Sequence, residues 1–370
     1  MLYYLSTLAQ DAGLFNMLHY ISVRAVIAVV LSFVITLISA PLVIAYLTKS
    51  KITEDTTKSD SAQLNKLHSS KANTPTMGGV VILSGVLLTA VVCCNFAVIY
   101  INLTLFVIAG MAFIGFIDDY TKLKSSKQGL SAKTKFLLQM VIVGLPAWVL
   151  TQNANLHYEV VPNMQFSDIL LPFVKEAVIP LSTFAFVVWV FLVMTGTTNA
   201  VNLTDGLDGL ASGCAIMVCL VYAIICYLVG RVDFSAYLFV PYVPNAGEMT
   251  VLLSAFIGSL VGFLWYNTHP AQIFMGDTGS LTIGGVIGMS ALISKQEIIL
   301  VIAGGIFVLE AVSVILQVGN FKLTGKRIFK CAPFHHHLQF SGWTETKIVV
   351  RLWILSLMCA FIALCTLKVR

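Results

Sequence analysis

Acidic and histidine side chains are concentrated at four places along a chain that carries little other charge. They are Asp118 and Asp119 in GFIDDY, Asp205 and Asp208 in NAVNLTDGLDGLASG, Asp277 in PAQIFMGDTGSL, and His335, His336 and His337 in KCAPFHHHL. Carboxylate oxygens are ligands that Mg²⁺ prefers in proteins, and lysines near them can hold phosphate groups. Phosphoryl transfer depends mainly on positioning and charge neutralisation, so these residue types together predict such chemistry.

The spacing within each aspartate motif limits what its side chains can do. Asp118 and Asp119 are consecutive, so on a helix they point about 100° apart and cannot easily share one role. We expect one of them to face a metal ion or phosphate while the other orients a lysine such as Lys122. Asp205 and Asp208 are three residues apart and share one face at the start of a helix. The simpler interpretation of that pair is an acidic helix start stabilised by the helix dipole.

Asp277 and the histidine run each allow more than one interpretation. Asp277 lies between Gly276 and Gly279, where its carboxylate suits either a Mg²⁺ ion that bridges phosphates or a simple helix cap. Consecutive histidines diverge on a helix and cannot all ligate one ion, so we expect hydrogen bonds to a phosphate or headgroup and not a zinc site. Glu310 lies deep in an apolar run, and its role as a protonated or a paired structural group is open.

The elements that must position these side chains are membrane helices. Of the 370 residues, 58% are hydrophobic and 11% are charged, against about 25% charged in soluble domains, which excludes a water-soluble globule. With about 20 residues for each crossing, the apolar runs predict a single all-α polytopic membrane domain of ten helices. The predicted spans are 21–47, 78–97, 101–117, 134–151, 181–197, 209–229, 251–266, 280–296, 298–319 and 348–367. Gly284, Gly285 and Gly288 predict close helix–helix contacts.

The spans divide the loops between two sides of the membrane. Most lysines and all the chemical motifs fall on one side, in or beside loops 48–77, 118–133, 198–208, 267–279 and 320–347. The positive-inside rule makes these loops cytoplasmic and puts both termini on the outer side. The other side carries thinly spread cations such as Arg24 and Lys295. Among the cytoplasmic lysines, we expect Lys71, Lys122 and Lys133 to bind an anionic, phosphate-rich substrate.

Five motifs, in this order, carry a resemblance to one enzyme family. They are KANTPTMGG (Lys71–Gly79), DDYTK (Asp118–Lys122), NAVNLTDGLDGLASG (Asn199–Gly213), NTHPAQIFMGDTGSL (Asn267–Leu281) and KCAPFHHHL (Lys330–Leu338). Together they resemble the bacterial phospho-N-acetylmuramoyl-pentapeptide transferases, also called translocase I, over most of the chain. The APFHHH string favours this family over the related polyprenyl-phosphate sugar-1-phosphate transferases, which share the aspartate motifs.

The resemblance implies a ten-helix enzyme of the bacterial inner membrane, usually a homodimer, whose active site faces the cytoplasm. It implies transfer of phospho-N-acetylmuramoyl-pentapeptide from UDP-MurNAc-pentapeptide to undecaprenyl phosphate, which forms lipid I and UMP in peptidoglycan synthesis. The implied cofactor is Mg²⁺. Membrane lipids are expected to surround the protein, and nucleic acid is not an expected partner.

The resemblance also implies roles for individual residues. Asp277 resembles the Mg²⁺ ligand, and Asp118 and Asp119 resemble the catalytic pair. His335 and His336 match the binding or catalytic positions of the histidine motif. The positions that shape the nucleotide and phosphate pocket match Lys71, Asn202, Asp205, Asp208, Asn267 and Phe274.

Two departures and two alternative functions accompany this interpretation. Cys331 stands where the family pattern has methionine, and Gln339 stands where it has glutamate, which removes one charge from the loop. A sister transferase that uses UDP-N-acetylglucosamine is one alternative. A transporter or ion channel is the other, and charges at mid-bilayer or broken helices in paired repeats would favour it.

Overall fold

The computed structural model describes residues 1–4, 16–50, 52, 74–124, 129–152, 164–174 and 178–369. Its helices in this part of the chain are α1 (Ile21–Lys49), α2 (Gly79–Cys93), α3 (Ile99–Lys124), α4 (Ala132–Thr151), α5 (Thr183–Thr204), α6 (Leu210–Val229), α7 (Val232–Leu238), α8 (Glu248–Asn267), α9 (Gly276–Ile293), α10 (Ile299–Ala303), α11 (Gly305–Thr324), α12 (Phe334–Phe340) and α13 (Glu345–Thr366). A short 3₁₀ turn, Met17–His19, precedes α1. Strands β1 (Ile169–Leu170) and β2 (Val178–Ile179) form a small antiparallel hairpin between α4 and α5.

The protein is a predominantly helical, polytopic membrane protein. Eight helices of the described residues are long and apolar enough to cross a bilayer: α1, α3, α4, α5, α6, α8, α11 and α13. The shorter α2 and the glycine-rich α9 occupy two further predicted spans. Each apolar run that predicts a span therefore contains a helix.

Helix boundaries differ from the predicted ones at three informative places. The long apolar run 78–117 turns back between α2 and α3, as predicted, where the side-chain oxygen of Asn95 accepts a 3.0 Å hydrogen bond from the amide of Ala97. Helix α3 continues beyond residue 117 to Lys124, because no glycine or proline follows the apolar run there. The ninth predicted span is broken at Gly304, which separates α10 from α11.

Helices α8 and α9 form the centre of the bundle. Helix α8 packs against α1, α6 and α2, while α9 packs against α3 and α5. A Cβ atom on Gly284 would lie 2.5 Å from Cα of Thr198, and one on Gly285 would lie 2.9 Å from a methyl of Val107. The prediction of close contacts at these glycines is confirmed, since only a hydrogen at that position lets α9 approach its neighbours.

Two of the scattered cations that are predicted to lie on the outer side are buried in ion pairs at the end of the bundle remote from the aspartate motifs. Arg24, at the start of α1, donates from Nη1 and Nη2 to the carboxylate of Glu248 at 2.8 and 2.5 Å. Lys295 donates to Glu297 at 2.8 Å, and its ammonium lies 5.2 Å from the ring centre of Phe166. A buried charge requires such a partner, because loss of one member would leave the other charge uncompensated. The Arg24–Glu248 pair joins the starts of α1 and α8, whereas Lys295 and Glu297 pair within one loop.

Candidate active site

Three aspartates from two helices meet at one end of the bundle. Asp118 and Asp119 lie near the C-terminal end of α3, and Asp277 lies in the first turn of α9. One carboxylate oxygen from each lies within 4.8 Å of the other two. All three residues are buried, with 1%, 4% and 8% of their surface exposed. Three carboxylates this close repel one another unless cations lie between them.

Two lysines supply the compensating positive charge. The Lys122 ammonium lies 2.7 Å from Oδ2 of Asp118 and 3.1 Å from Oδ1 of Asp277. The Lys135 ammonium lies 3.1 Å from the same Asp118 oxygen and 2.5 Å from Oδ2 of Asp277. Lys122 comes from α3 and Lys135 from the first turns of α4, so three helix ends meet here. Each lysine bridges two carboxylates from different helices.

The two consecutive aspartates make different hydrogen bonds, as their offset on a helix predicts, although the Lys122 ammonium also lies 3.9 Å from Oδ1 of Asp119. Oδ1 of Asp118 accepts a 2.7 Å hydrogen bond from the amide of Leu130, while its Oδ2 contacts the two lysines. Asp119 accepts hydrogen bonds from the amides of Asp277 and Thr278 at 3.1 and 3.0 Å, and from the Thr278 hydroxyl at 2.8 Å. Asp119 therefore caps the N-terminus of α9 from a different helix and satisfies donors that a helix leaves unpaired.

The start of α9 also depends on a glycine. Gly276 has a φ of +73°, a backbone conformation that side-chain-bearing residues rarely adopt. A Cβ atom there would lie 2.8 Å from Oδ2 of Asp119. Gly276 thus lets the backbone turn into α9 and leaves room for the Asp119 carboxylate beside it. The position of Asp277 in the first helical turn follows from this geometry.

Two of the sequence motifs pair through their backbones beside the aspartates. The amide of Phe274 donates to Pro75 at 2.8 Å, and its carbonyl accepts from Gly78 at 2.7 Å. The amide of Gly79 donates to Met275 at 2.8 Å. The TPTMGG and AQIFMGD segments are therefore held together next to Asp277, with the Phe274 side chain half-buried. Lys71, the lysine that precedes TPTMGG, lies outside the described residues.

The aspartate-rich loop after α5 is tied to the segment after α8. The carboxylate of Asp208 accepts from the amide of Ala271 at 3.2 Å and lies 3.0 Å from Nδ1 of His269. The amide of Asp208 donates to the carboxylate of Glu345 at 2.8 Å. Asp208, His269 and Glu345 form a second group of potential ligand atoms within 4.8 Å of one another. This network joins the loop, the start of α13 and the segment before α9.

Asn267 fixes the same loop from the end of α8. Its Oδ1 accepts hydrogen bonds from the amide of Gly209 and the hydroxyl of Ser212, both at 3.1 Å. Its Nδ2 donates to the carbonyl of Ile273 at 2.8 Å. The side chain is buried and engaged at both ends, so in this structure it holds two segments of the chain together. Asn202 and Asp205 lie before this anchor and are half-buried.

The histidine motif divides into a buried and a half-buried part. His335 is fully buried, and its Nδ1 lies 3.1 Å from a carboxylate oxygen of Glu310, so the paired alternative for Glu310 is the one observed. His336 is half-buried, and its Nδ1 lies 2.8 Å from the side-chain oxygen of Gln339. Gln339, one of the two departures from the family pattern, therefore contacts a predicted site residue. Cys331 is the other departure from the family pattern. Burial raises the pKa of its thiol, which keeps the thiol protonated near neutral pH.

Sequence reasoning missed several residues that the structure brings to the site. Lys135 contacts the aspartates, whereas Lys133, two residues earlier on α4, is exposed and is not among the described side chains that contact them. His269 and Glu345 contact Asp208, and Thr278 contacts Asp119. A signal existed for Thr278, since a hydroxyl in the first turn of a helix is a common capping partner. For Lys135, His269 and Glu345, nothing in the local sequence identifies the side chain that each of them contacts.

The carboxylate cluster fits a magnesium ion by its chemistry. Oxygen ligands from three buried aspartates converge within 4.8 Å, and hard oxygen ligands are what Mg²⁺ takes in proteins. Lys122 and Lys135 contact the same oxygens and keep the cluster close to neutral. A cation at Asp277 would therefore share these oxygens with the ammonium groups.

The fold and this site define a class of membrane-bound glycosyl transferase. The model of a family described as glycosyl transferase family 4 matches residues 101–295, which contain all three clustered aspartates. A signature described as phospho-N-acetylmuramoyl-pentapeptide-transferase signature 1 matches residues 71–83.

Curated relatives narrow the class to one family. Proteins named phospho-N-acetylmuramoyl-pentapeptide-transferase from Maridesulfovibrio salexigens and Desulfatibacillum aliphaticivorans are 41% and 43% identical to this chain. That from Methylacidiphilum infernorum is 45% identical. Each alignment covers 100% of this chain and 99–100% of the relative. The chain belongs to the phospho-N-acetylmuramoyl-pentapeptide-transferase family, which confirms the resemblance carried by the five motifs.

Proposed function

We propose that this chain transfers phospho-N-acetylmuramoyl-pentapeptide from UDP-MurNAc-pentapeptide to undecaprenyl phosphate, forming lipid I and releasing UMP in peptidoglycan synthesis. The observation that carries the proposal is the buried group of three aspartates bridged by Lys122 and Lys135 at one end of a membrane bundle. Full-length relatives that carry the transferase name support the same reaction.

The reaction exchanges one phosphoanhydride for another. An oxygen of the lipid phosphate bonds to the phosphorus that carries the sugar, and the bond from that phosphorus to the UMP oxygen breaks. No ATP is required, because a phosphoanhydride is present on both sides. The second pKa of a phosphate monoester is about 6, so the attacking oxygen is already largely ionised near neutral pH. The site therefore has to orient two anionic groups and shield their charge.

The clustered side chains are suited to that task. The ammonium groups of Lys122 and Lys135 can exchange their contacts with the carboxylates for contacts with the substrate phosphates. We assign Asp277 as the Mg²⁺ ligand, with Asp118 beside it, and the ion when bound would neutralise charge on the phosphates. Asp119 holds the first turn of α9, and so the position of Asp277, through its three hydrogen bonds.

The remaining site residues are proposed to build the substrate pocket. Asp208 and Asn267 are engaged in bonds between the loop after α5 and the segment before α9, which supports a role in shaping the pocket. The other residues that we propose to contact substrate are Lys71, Lys133, Asn202, Asp205, Phe274 and His336. We also retain His335 as a member of the site.

The proposed membrane arrangement follows from the charges at the helix ends. Among the described residues, the last turns of α1, α3 and α11 carry the lysines Lys49, Lys122, Lys124 and Lys322. With the positive-inside rule, these lysines support our proposal of ten crossings, both termini outside and a cytoplasmic active site in the bacterial inner membrane. The cluster lies at helix ends and not at mid-span, which favours an enzyme over an ion pathway. We propose a homodimer surrounded by membrane lipids, with no nucleic-acid partner.

The test is UMP release by the purified protein in detergent. We expect release from UDP-MurNAc-pentapeptide that requires both Mg²⁺ and undecaprenyl phosphate. Asp277→Asn should abolish it, whereas Asp233→Asn, at an exposed carboxylate paired with Arg231, is the matched control and should keep full activity. Equal turnover of Asp277→Asn and the parent would contradict the metal assignment. Release from UDP-N-acetylglucosamine in place of the pentapeptide donor would indicate the sister transferase.

A further inference from the structure

A buried glutamate on a membrane helix lies directly behind the histidine motif. Glu310 is in α11, is fully buried, and reaches a part of the chain that is 25 residues further on. Its Oε2 accepts a 3.3 Å hydrogen bond from the amide of His335 and lies 3.1 Å from Nδ1 of that ring, within ion-pair distance. A carboxylate inside a membrane helix is costly, and such residues are rare unless they have a partner and a function.

The other side of the His335 ring lies against the aspartate-rich loop. A Cβ atom on Gly206 would collide with Nε2 of His335 and would lie 2.9 Å from its Cε1. Gly206 is not one of the glycines that have a positive φ in the described part of the chain. A glycine is therefore needed at this position because a side chain would not fit, and not because of the backbone conformation. The ring is therefore enclosed between Glu310 on one side and the backbone of the loop on the other.

Gly206 lies between Asp205 and Asp208, in the loop that we propose to shape the donor pocket. Asn267 anchors the far end of this loop at Gly209. His335 supports the near end by contact with Gly206. Nδ1 of His335 is directed at Glu310 and Nε2 at the loop, and the residue has no exposed surface through which it could reach substrate.

We propose that Glu310 is a positioning residue, which fixes the His335 ring against Gly206 and thereby sets the shape of the loop Asp205–Gly209 for the uridine diphosphate donor. This inference rests on the proposed function and narrows the role of His335 from a catalytic to a positioning residue. Neither residue contacts the reacting phosphates directly. Their effect is on donor binding, through the loop.

The kinetic test separates donor binding from chemistry and from folding. Glu310→Gln keeps the size of the side chain but removes the charge that holds the ring, and we expect the KM for UDP-MurNAc-pentapeptide to rise on the order of tenfold. The KM for undecaprenyl phosphate should stay within twofold of the parent, by the same reasoning. Ser313→Ala is the matched control, since it removes a buried 2.7 Å hydrogen bond to the carbonyl of Glu310 itself without touching His335. A merely structural Glu310 would lower the yield of folded enzyme and leave both KM values unchanged, which would overturn the proposal.

A pair of double-variant cycles tests the contacts themselves. In a His335→Ala background, Glu310→Gln should cause no further rise in donor KM, because the ring that it positions is gone. Gly206→Ala should lower the melting temperature in the parent, through the clash with the ring, and should lower it much less in the His335→Ala background. Additive effects in both cycles would overturn the proposal.

The melting-temperature cycle needs no turnover, so it distinguishes failure of this inference from failure of the proposed function. If the parent released no UMP but the Gly206 and His335 effects were still coupled, the transferase assignment would fail and the contact would stand. If the parent were active and the effects were independent, the positioning role would fail alone. If the parent were active only with UDP-N-acetylglucosamine, the same KM comparison would be made with that donor.

Discussion

The substitution Lys135→Met gives the sharpest test of how the site is assembled. The Lys135 ammonium lies 2.5 Å from Asp277 and 3.1 Å from Asp118, and its side chain is 16% exposed. Methionine keeps most of the length and the apolar stem but removes the charge. Lys124→Met is the matched control, because Lys124 is exposed and lies in the last turn of α3, two residues after Lys122. Lys122 and Lys124 are about 200° apart around a helix, so only Lys122 can face the aspartates.

The expected magnitude follows from the contacts that are lost. A hydrogen bond to a charged group contributes about 1.5–3 kcal/mol, and Lys135 makes two such contacts with buried carboxylates. Lys122 still bridges the same two aspartates in the variant, so we take a loss of roughly 3 kcal/mol in place of the full sum. We take the Lys135 ammonium to exchange these contacts for equally strong ones to the reacting phosphates in the transition state. Because about 1.4 kcal/mol corresponds to a factor of ten, the rate of UMP release should then fall about 10²-fold.

The assay is the initial rate of UMP release at saturating donor, lipid phosphate and Mg²⁺, with the melting temperature measured on the same preparations. We expect Lys135→Met to lose activity while remaining folded, and Lys124→Met to stay within about threefold of the parent, as for a solvated surface charge. A Lys135→Met enzyme as active as the parent would refute the reasoning. So would equal impairment of both variants, since that would show a general effect of positive charge at this end of the bundle.

Three further predictions concern the capping aspartate, the metal and the histidine motif. Thr278→Val should destabilise the protein by about 1–2 kcal/mol in thermal unfolding and slow UMP release, because Asp119 loses one of its hydrogen-bond donors. Thr278→Ser keeps the hydroxyl and should have neither effect, and equal effects of the two variants would contradict the capping role. Mg²⁺ should stabilise the folded protein by about 2.7 kcal/mol at a concentration of 100 Kd, and the melting temperature should keep rising with the logarithm of its concentration. A similar rise in Asp277→Asn would exclude that residue as the ligand. Gln339→Glu places a negative charge beside His336, whose Nδ1 lies 2.8 Å from the Gln339 side-chain oxygen, and should shift the NMR titration of that ring to higher pH. An unchanged titration would show that the two side chains are not in contact in solution.

Much of the architecture follows from composition and periodicity. A bilayer accepts only helices or closed barrels and demands apolar runs of a given length, so every predicted span contains a helix. The contacts of Gly284 and Gly285 were predictable for a similar reason, since lipid offers little driving force and helices associate where small residues allow close approach. The end of α3 was harder to predict, because a helix continues past its apolar part until the chain offers a breaking residue.

The sequence predicts which residue types form the site, but it does not predict which side chains contact one another. The aspartate motifs and the histidine run are visible in the sequence, and the offset between Asp118 and Asp119 correctly predicts different partners for them. The roles assigned to Lys71, which lies outside the described residues, and to Lys133 remain predictions.

The sequence alone thus determined the helical, polytopic membrane architecture, the family and the residue types available for phosphoryl transfer, because all of these depend on local composition and short-range spacing. Only the tertiary structure decided that Lys135 reaches Asp118 and Asp277, and that Glu310 pairs with His335. These contacts join different helices, and their residues are 17 positions apart for Asp118 and Lys135, 25 for Glu310 and His335, and 142 for Lys135 and Asp277. They depend on how α3, α4, α9 and α11 are rotated and where they end in space, which short-range periodicity does not encode.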